Sequence, residues 1–177
     1  MTDLVLTLIG PDQPGIVETV SEVVAANGGN WLDSRMAHLA GKFAGVLCVE
    51  VPDDRAVALE AALRNLGGSG LTVVVERSGA AADPAPQRAT EIELVGLDRP
   101  GLVHQIAALL AAHRINVEEL TTDRSAAAHS GDPLFRARVR VVVPDGVDLD
   151  AVRQGLERLA ADLMVDIRLV ETLGAPV

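Results

Sequence analysis

Two short segments carry the residue types best suited to chemistry. Residues 10–17 read GPDQPGIV and residues 96–103 read GLDRPGLV, with five of eight positions identical. Each places a carboxylate (Asp12, Asp98) just before a Pro-Gly pair (Pro14-Gly15, Pro100-Gly101), followed by an apolar pair (Ile16-Val17, Leu102-Val103) that opens a helical pattern. The carboxylate can accept hydrogen bonds from the first free helix N–H groups, and proline suits the first helical turn because it lacks a donor. Gly10 and Gly96 let the chain leave the preceding strand. This structural reading accounts for every residue of the turn. The same groups suit a ligand equally well: free N–H groups at a helix start form an anion site, and a missing Cβ admits a ligand to the backbone. An α-carboxylate can sit there, with its ammonium meeting the side-chain oxygen of Asn30 or Asn116, or else Asp12 or Asp98. From the residues alone both readings stand, the structural one being the simpler.

Catalytic and metal chemistry find little support. None of His38, His104, His113 and His129 pairs with another at i, i+4, and no Cys, Asp or Glu lies at a metal-ligand spacing from them. His113 is read as a favourable partner of a helix C-terminal dipole, His104 as a helix-surface residue, and His38 and His129 as solvated tip residues. Cys48 is the only cysteine, which rules out an intrachain disulfide, and its apolar run suggests a buried inert thiol. Phosphate-loop, dinucleotide and nucleophile-elbow motifs are absent. The expectation is a protein without catalytic residues, metal or cofactor.

The elements that position the turns repeat as well. Leu6, Leu8 and Ile9 fall on Ile92, Leu94 and Val95, 86 positions on. Ile16, Val17, Val20, Val23 and Val24 fall on Leu102, Val103, Ile106, Leu109 and Leu110, both sets at amphipathic-helix spacing, and Asn30 falls on Asn116. The offset then grows to 92 at Pro52 and Pro144, so the second copy carries an insertion. The pattern predicts strand, helix, strand, strand, helix, strand, twice. In the first copy these are a strand through Leu4–Leu8, a helix ending near Asn27-Gly28, strands from Asn30 and over 43–51, a helix over 54–66 and a strand over 71–76. In the second, the corresponding later elements are a strand from Asn116, one over 135–143, a helix over 148–163 and a strand over 165–170. The fold class is α+β, two tandem ferredoxin-like βαββαβ units with helices on one face of an antiparallel sheet. The expected domains are residues 1–77 and 89–177, joined by an aperiodic Ala/Pro-rich linker over 78–88.

Composition limits the partners. Of 177 residues, 49% are hydrophobic and only 2% aromatic, so the core must be aliphatic. The net charge of −10 argues against direct nucleic-acid binding, since phosphates demand a basic surface. Arg136, Arg138 and Arg140 alternate along a strand and are read as its solvated face. With no run of 18 apolar residues and no basic-then-apolar leader, the expectation is a soluble, cytoplasmic protein.

The turns DQPGIV and DRPGLV, each followed by Asn at the start of the second strand, resemble those of the ACT domain, a βαββαβ module of amino-acid metabolism. The resemblance covers nearly all of both halves. More narrowly, NWLDSRMAHLAGKFAG (30–45) and HSGDPLFRARVRVVVP (129–144) are similar to stretches of the glycine cleavage system transcriptional repressor family. The resemblance implies amino-acid binding at Gly10, Asp12, Pro14, Gly15, Ile16, Val17 and Asn30, and at Gly96, Asp98, Pro100, Gly101, Leu102, Val103 and Asn116. It also implies homo-oligomers through ACT–ACT pairing, a possible protein partner, and a place in glycine or one-carbon metabolism or its transcriptional control. The alternative is a ligand-independent interaction module.

Overall fold

The computed structural model describes residues 1–79, 88–126 and 132–171. Most of the expected linker and the tip containing His129 fall outside these residues. Contacts divide the chain into two units, Met1–Asp83 and Pro84–Val177.

The first unit runs β1 (Thr2–Pro11), α1 (Ile16–Ala26), β2 (Asn30–Leu39), β3 (Lys42–Val51), α2 (Ala56–Arg64), a 3-10 turn (Asn65–Ser69) and β4 (Thr72–Arg77). The second runs β5 (Arg88–Leu97), α3 (Leu102–Ala112), β6 (Asn116–Ala126), β7 (Pro133–Val143), α4 (Leu149–Leu163) and β8 (Val165–Glu171). Each forms a four-stranded sheet, ordered β2-β3-β1-β4 and β6-β7-β5-β8, with every neighbouring pair antiparallel. This is the ferredoxin-like βαββαβ arrangement, twice.

Alternation along the strands decides which face is covered. Leu4, Leu6 and Leu8 of β1 and Leu47, Val49 and Val51 of β3 are at most 1% exposed and meet Val20, Val24, Leu59 and Leu63 from the two helices. Ile92 and Leu94 of β5 do the same beneath Leu102, Ile106, Leu110, Val152 and Leu156. Truncating such a leucine to alanine costs about 2–5 kcal/mol. The helical stripe is narrower than the apolar spacing predicted. Val17 and Val103 remain 47% and 40% exposed, because residues one position after Ile16 and Leu102 are rotated off the sheet.

Cys48 corrects another expectation. It alternates with buried Leu47 and Val49, so it lies half-buried on the opposite face of the sheet. Desolvation pushes its thiol pKa up, helped by the nearby charges of Asp3 and Asp33. A feature unmarked in the sequence appears at equivalent places in both units: the pairing register shifts between Trp31 and Asp33, and again between Val117 and Glu119. Such bulges bend and twist the edge strand.

Candidate functional site

Each helix after the first strand begins at a glycine in the left-handed region, Gly15 at φ 92° and Gly101 at φ 93°. A side chain there would be strained, and glycine adopts the conformation freely. The Gly15 carbonyl accepts from Thr19 N–H at 2.9 Å and from Thr19 Oγ1 at 3.0 Å; the Gly101 carbonyl accepts from Gln105 N–H at 3.0 Å. No side chain caps either helix start.

This corrects the reading of Asp12 and Asp98 as caps. The glycine is the cap, so the carboxylate stands three residues too early to reach the first helical donors. Pro14 and Pro100 accordingly precede the cap and do not begin the helix. The carboxylates turn towards the edge strands: Asp98 pairs with Arg124 of β6 at 2.7 Å, and Asp12 with His38 of β2 at 3.5 Å. Their backbone N–H groups donate to Pro133 O and Gly41 O, which ties each turn to the neighbouring hairpin.

In the first unit a cleft with a volume of about 60 Å³ lies beside the helix start. Gly10, Pro14, Gly15 and Ile16, which are among the residues singled out in the sequence, line it. Pro11, Gln13, Thr19, Gly70 and Leu71 line it too and were not anticipated. Gly70 is the informative member. It has φ 82°, ends the 3-10 turn, and leaves the cleft open above Pro11. The cluster Gly67-Gly68-Ser69-Gly70 before the fourth strand was the available sequence signal, but only the fold brings it against the first turn. Glu18, in the first turn of α1, brings its carboxylate near the cap: Oε2 would lie 3.8 Å from a Cβ added at Gly15. The cleft therefore offers uncapped backbone donors with a carboxylate close by.

The equivalent turn of the second unit is built differently. Val165 packs over Gly96 so closely that an added Cβ would collide with it. Met164, at φ 53° and 69% exposed, takes the position of Gly70. Arg99 and His104 stand where the first unit has Gln13 and Glu18, and no acidic residue occupies the first turn of α3.

Asn30 and Asn116 do open β2 and β6, but at the far end of each sheet. Asn30 is opposite Glu50, which pairs with Asp3, eight residues before Pro11. At the rise of an extended strand this is about 25 Å from the turn. No single unit brings its asparagine and its turn to one ligand. Among the described residues, no group of three or more His, Cys, Asp or Glu side chains could hold a metal ion, and no helix is long and apolar enough to cross a membrane.

Comparison with known proteins agrees with this architecture. Residues 2–76 and 90–161 each match an ACT domain model. The chain is 27% identical over 161 residues to the glycine cleavage system transcriptional repressor of Escherichia coli (strain K12), covering 90% of this chain and 85% of that protein. It is 30% identical over 175 residues to phosphoserine phosphatase SerB2 of Mycobacterium tuberculosis (strain ATCC 25618 / H37Rv), covering 93% of this chain but 39% of that protein. A crystal structure of an unknown protein from Galdieria sulphuraria superposes with TM-score 0.83 at 30% identity, over 97% of this chain and 99% of that one. A protein assigned as a glycine cleavage system transcriptional repressor superposes with TM-score 0.71 at 22% identity, over 97% and 98%, a likeness of fold. With two successive copies of the module accounting for its two sheets, the chain belongs to the ACT domain family.

Proposed function

We propose that this tandem ACT protein is an amino-acid-sensing regulator, and that its first ACT domain takes a small zwitterion at the turn between β1 and α1. The observation that carries the reading is the cleft bounded by Gly10, Gly15 and Gly70. Uncapped N–H groups at the start of α1 suit an α-carboxylate, and the nearby Glu18 carboxylate suits an α-ammonium. The modest size of the cleft favours a small side chain. Asn30 can take part only across an interface with another module, because within its own domain it is at the opposite end of the sheet.

Sensing then acts through association. A ligand shifts an equilibrium between packings only if it binds them unequally, and a site shared between modules meets that condition. The likeness to a glycine cleavage repressor supports control of glycine or one-carbon metabolism. The net charge of −10 favours an effect on transcription through a protein partner over direct DNA contact. The phosphatase match spans too little of that protein to carry its activity here. The second turn supports a ligand-independent role for its own domain, since Val165 presses on Gly96 more closely than Leu71 does on Gly10.

A thermal-shift screen of the twenty amino acids, paired with sedimentation velocity, tests the proposal. A small amino acid should raise Tm and change the sedimentation coefficient, and Gly70→Met should abolish both responses. If no amino acid alters either quantity, the sensing role is wrong.

A further inference from the structure

The two glycine caps are held differently. The Gly15 carbonyl accepts twice, from Thr19 N–H at 2.9 Å and from the Thr19 hydroxyl at 3.0 Å. Among the described residues the Gly101 carbonyl accepts once, from Gln105 N–H at 3.0 Å. Thr19 and Gln105 occupy the same place in the repeat, 86 positions apart. A threonine hydroxyl in a helix commonly bonds to the carbonyl four residues back. Here that carbonyl belongs to the left-handed glycine that starts the helix, and Thr19 itself lines the cleft.

The extra bond matters because little else restrains the cap. Among the described residues, a Cβ built on Gly15 would meet one atom within 4 Å beyond its chain neighbours, Glu18 Oε2 at 3.8 Å. Glycine has wide backbone freedom, so hydrogen bonds and not packing must fix the peptide that follows it. In a planar trans peptide the C=O and N–H point opposite ways. Holding the Gly15 oxygen towards Thr19 therefore aims the Ile16 N–H out beyond the helix start. We propose that Thr19 is the positioning residue of the first turn, whose hydroxyl pins the Gly15–Ile16 peptide so that the Ile16 N–H stands ready for an α-carboxylate. A donor ordered before the ligand arrives binds more tightly than one that must be ordered on binding. Side-chain length acts in the same direction. Thr19 is short, whereas Gln105 reaches back until its Nε2 lies 3.9 Å from where a Cβ on Gly101 would stand. A side chain of that reach lies over the helix start, in the ligand's place. The inference rests on the amino-acid-sensing reading of this turn and adds the residue that readies it.

Titration of the isotope-labelled chain with each of the twenty amino acids, beginning with glycine and alanine as the smallest zwitterions, tests it. The Ile16 amide resonance reports binding, and melting curves of the ligand-free chain report stability. Thr19→Ala should weaken binding on the order of tenfold, the net contribution of one hydrogen bond. The same variant should leave Tm unchanged or raise it, because alanine favours the helix. Thr19→Val, which keeps the shape and loses the hydroxyl, should weaken binding alike. Thr19→Ser, which keeps the hydroxyl, should restore it, and Thr19→Gln should abolish it. A purely structural role would lower Tm and affinity together. Wild-type affinity in Thr19→Ala and Thr19→Val, or a loss that follows Tm, overturns the positioning role and leaves the sensing reading standing. A wild-type chain that responds to none of the twenty overturns both.

Discussion

In the first ACT domain the space beside the helix start is bounded by Gly70; in the second, Met164 stands at the same point of the fold. Both residues sit in the left-handed region, at φ 82° and 53°. The glycine holds that conformation freely and leaves room over the turn. The methionine holds it at a cost of about 1–2 kcal/mol and carries a side chain where the first domain has none. Charge diverges in the same direction, with Gln13 and Glu18 around the first turn and Arg99 and His104 around the second. A duplicated backbone thus keeps one motif while its surroundings diverge: an open cleft beside the first turn, and a closer packing of Val165 on Gly96 at the second.

The sharpest way to break this comparison is to crowd each turn from below. Gly96→Ala should destabilise by about 1–3 kcal/mol, because the new methyl would overlap Val165 down to its Cα. Gly10→Ala should cost less, since its nearest neighbours, Gly70 O and Leu71 Cδ1, lie 3.1 Å from the added Cβ. Chemical denaturation of both variants checks the order, and equal losses would mean that the two turns are packed alike. Met164→Gly should stabilise the chain by about 1 kcal/mol through relief of the left-handed methionine, measurable as a rise in Tm. Gly70→Met should lose a similar amount, and with it the ligand response.

The ion pairs behind the turns sharpen the comparison further. Asp98→Asn should cost up to about 1 kcal/mol at neutral pH, because it removes the carboxylate that pairs with Arg124 at 2.7 Å. Asp12→Asn should cost less still, because its contact with His38 is longer, at 3.5 Å. The smallest expected effect lies at Glu60, where the first domain has a carboxylate and the second has Arg153. The hydrogen bond from Arg77 at 2.8 Å, with charge from Arg77 and Arg64, holds the Glu60 pKa below the ordinary glutamate value. A depressed carboxylate stabilises the fold above its unfolded pKa and loses that contribution as pH falls through its folded value. Glu60→Gln should therefore cost under about 1 kcal/mol at pH 7 and nothing in stronger acid, as melting curves across pH would show.

The repeat made the fold legible. Its constant offset identified β1 with β5 and α1 with α3, and alternation placed Leu4, Leu6 and Leu8 in the core. The site was only partly legible. Gly10, Pro14, Gly15 and Ile16 are contiguous and visible as a motif, whereas Gly70 reaches the cleft only because β4 pairs with β1. Asp12 and Asn30 misled for a related reason. Which residue caps a helix depends on backbone dihedrals, and a strand's start is as easily far from its neighbour's end as near it. Residue spacing encodes neither.

The central claim is that the first turn, and not the second, holds a small zwitterion. Titrating the isotope-labelled chain with small amino acids while recording amide nitrogen–proton spectra tests it most directly. Ligand contact should move the resonances of Ile16, Val17, Glu18 and Gly70 and leave those of Leu102, Val103 and His104 in place. Unchanged spectra at saturating amino acid, or shifts confined to the second turn, would contradict it.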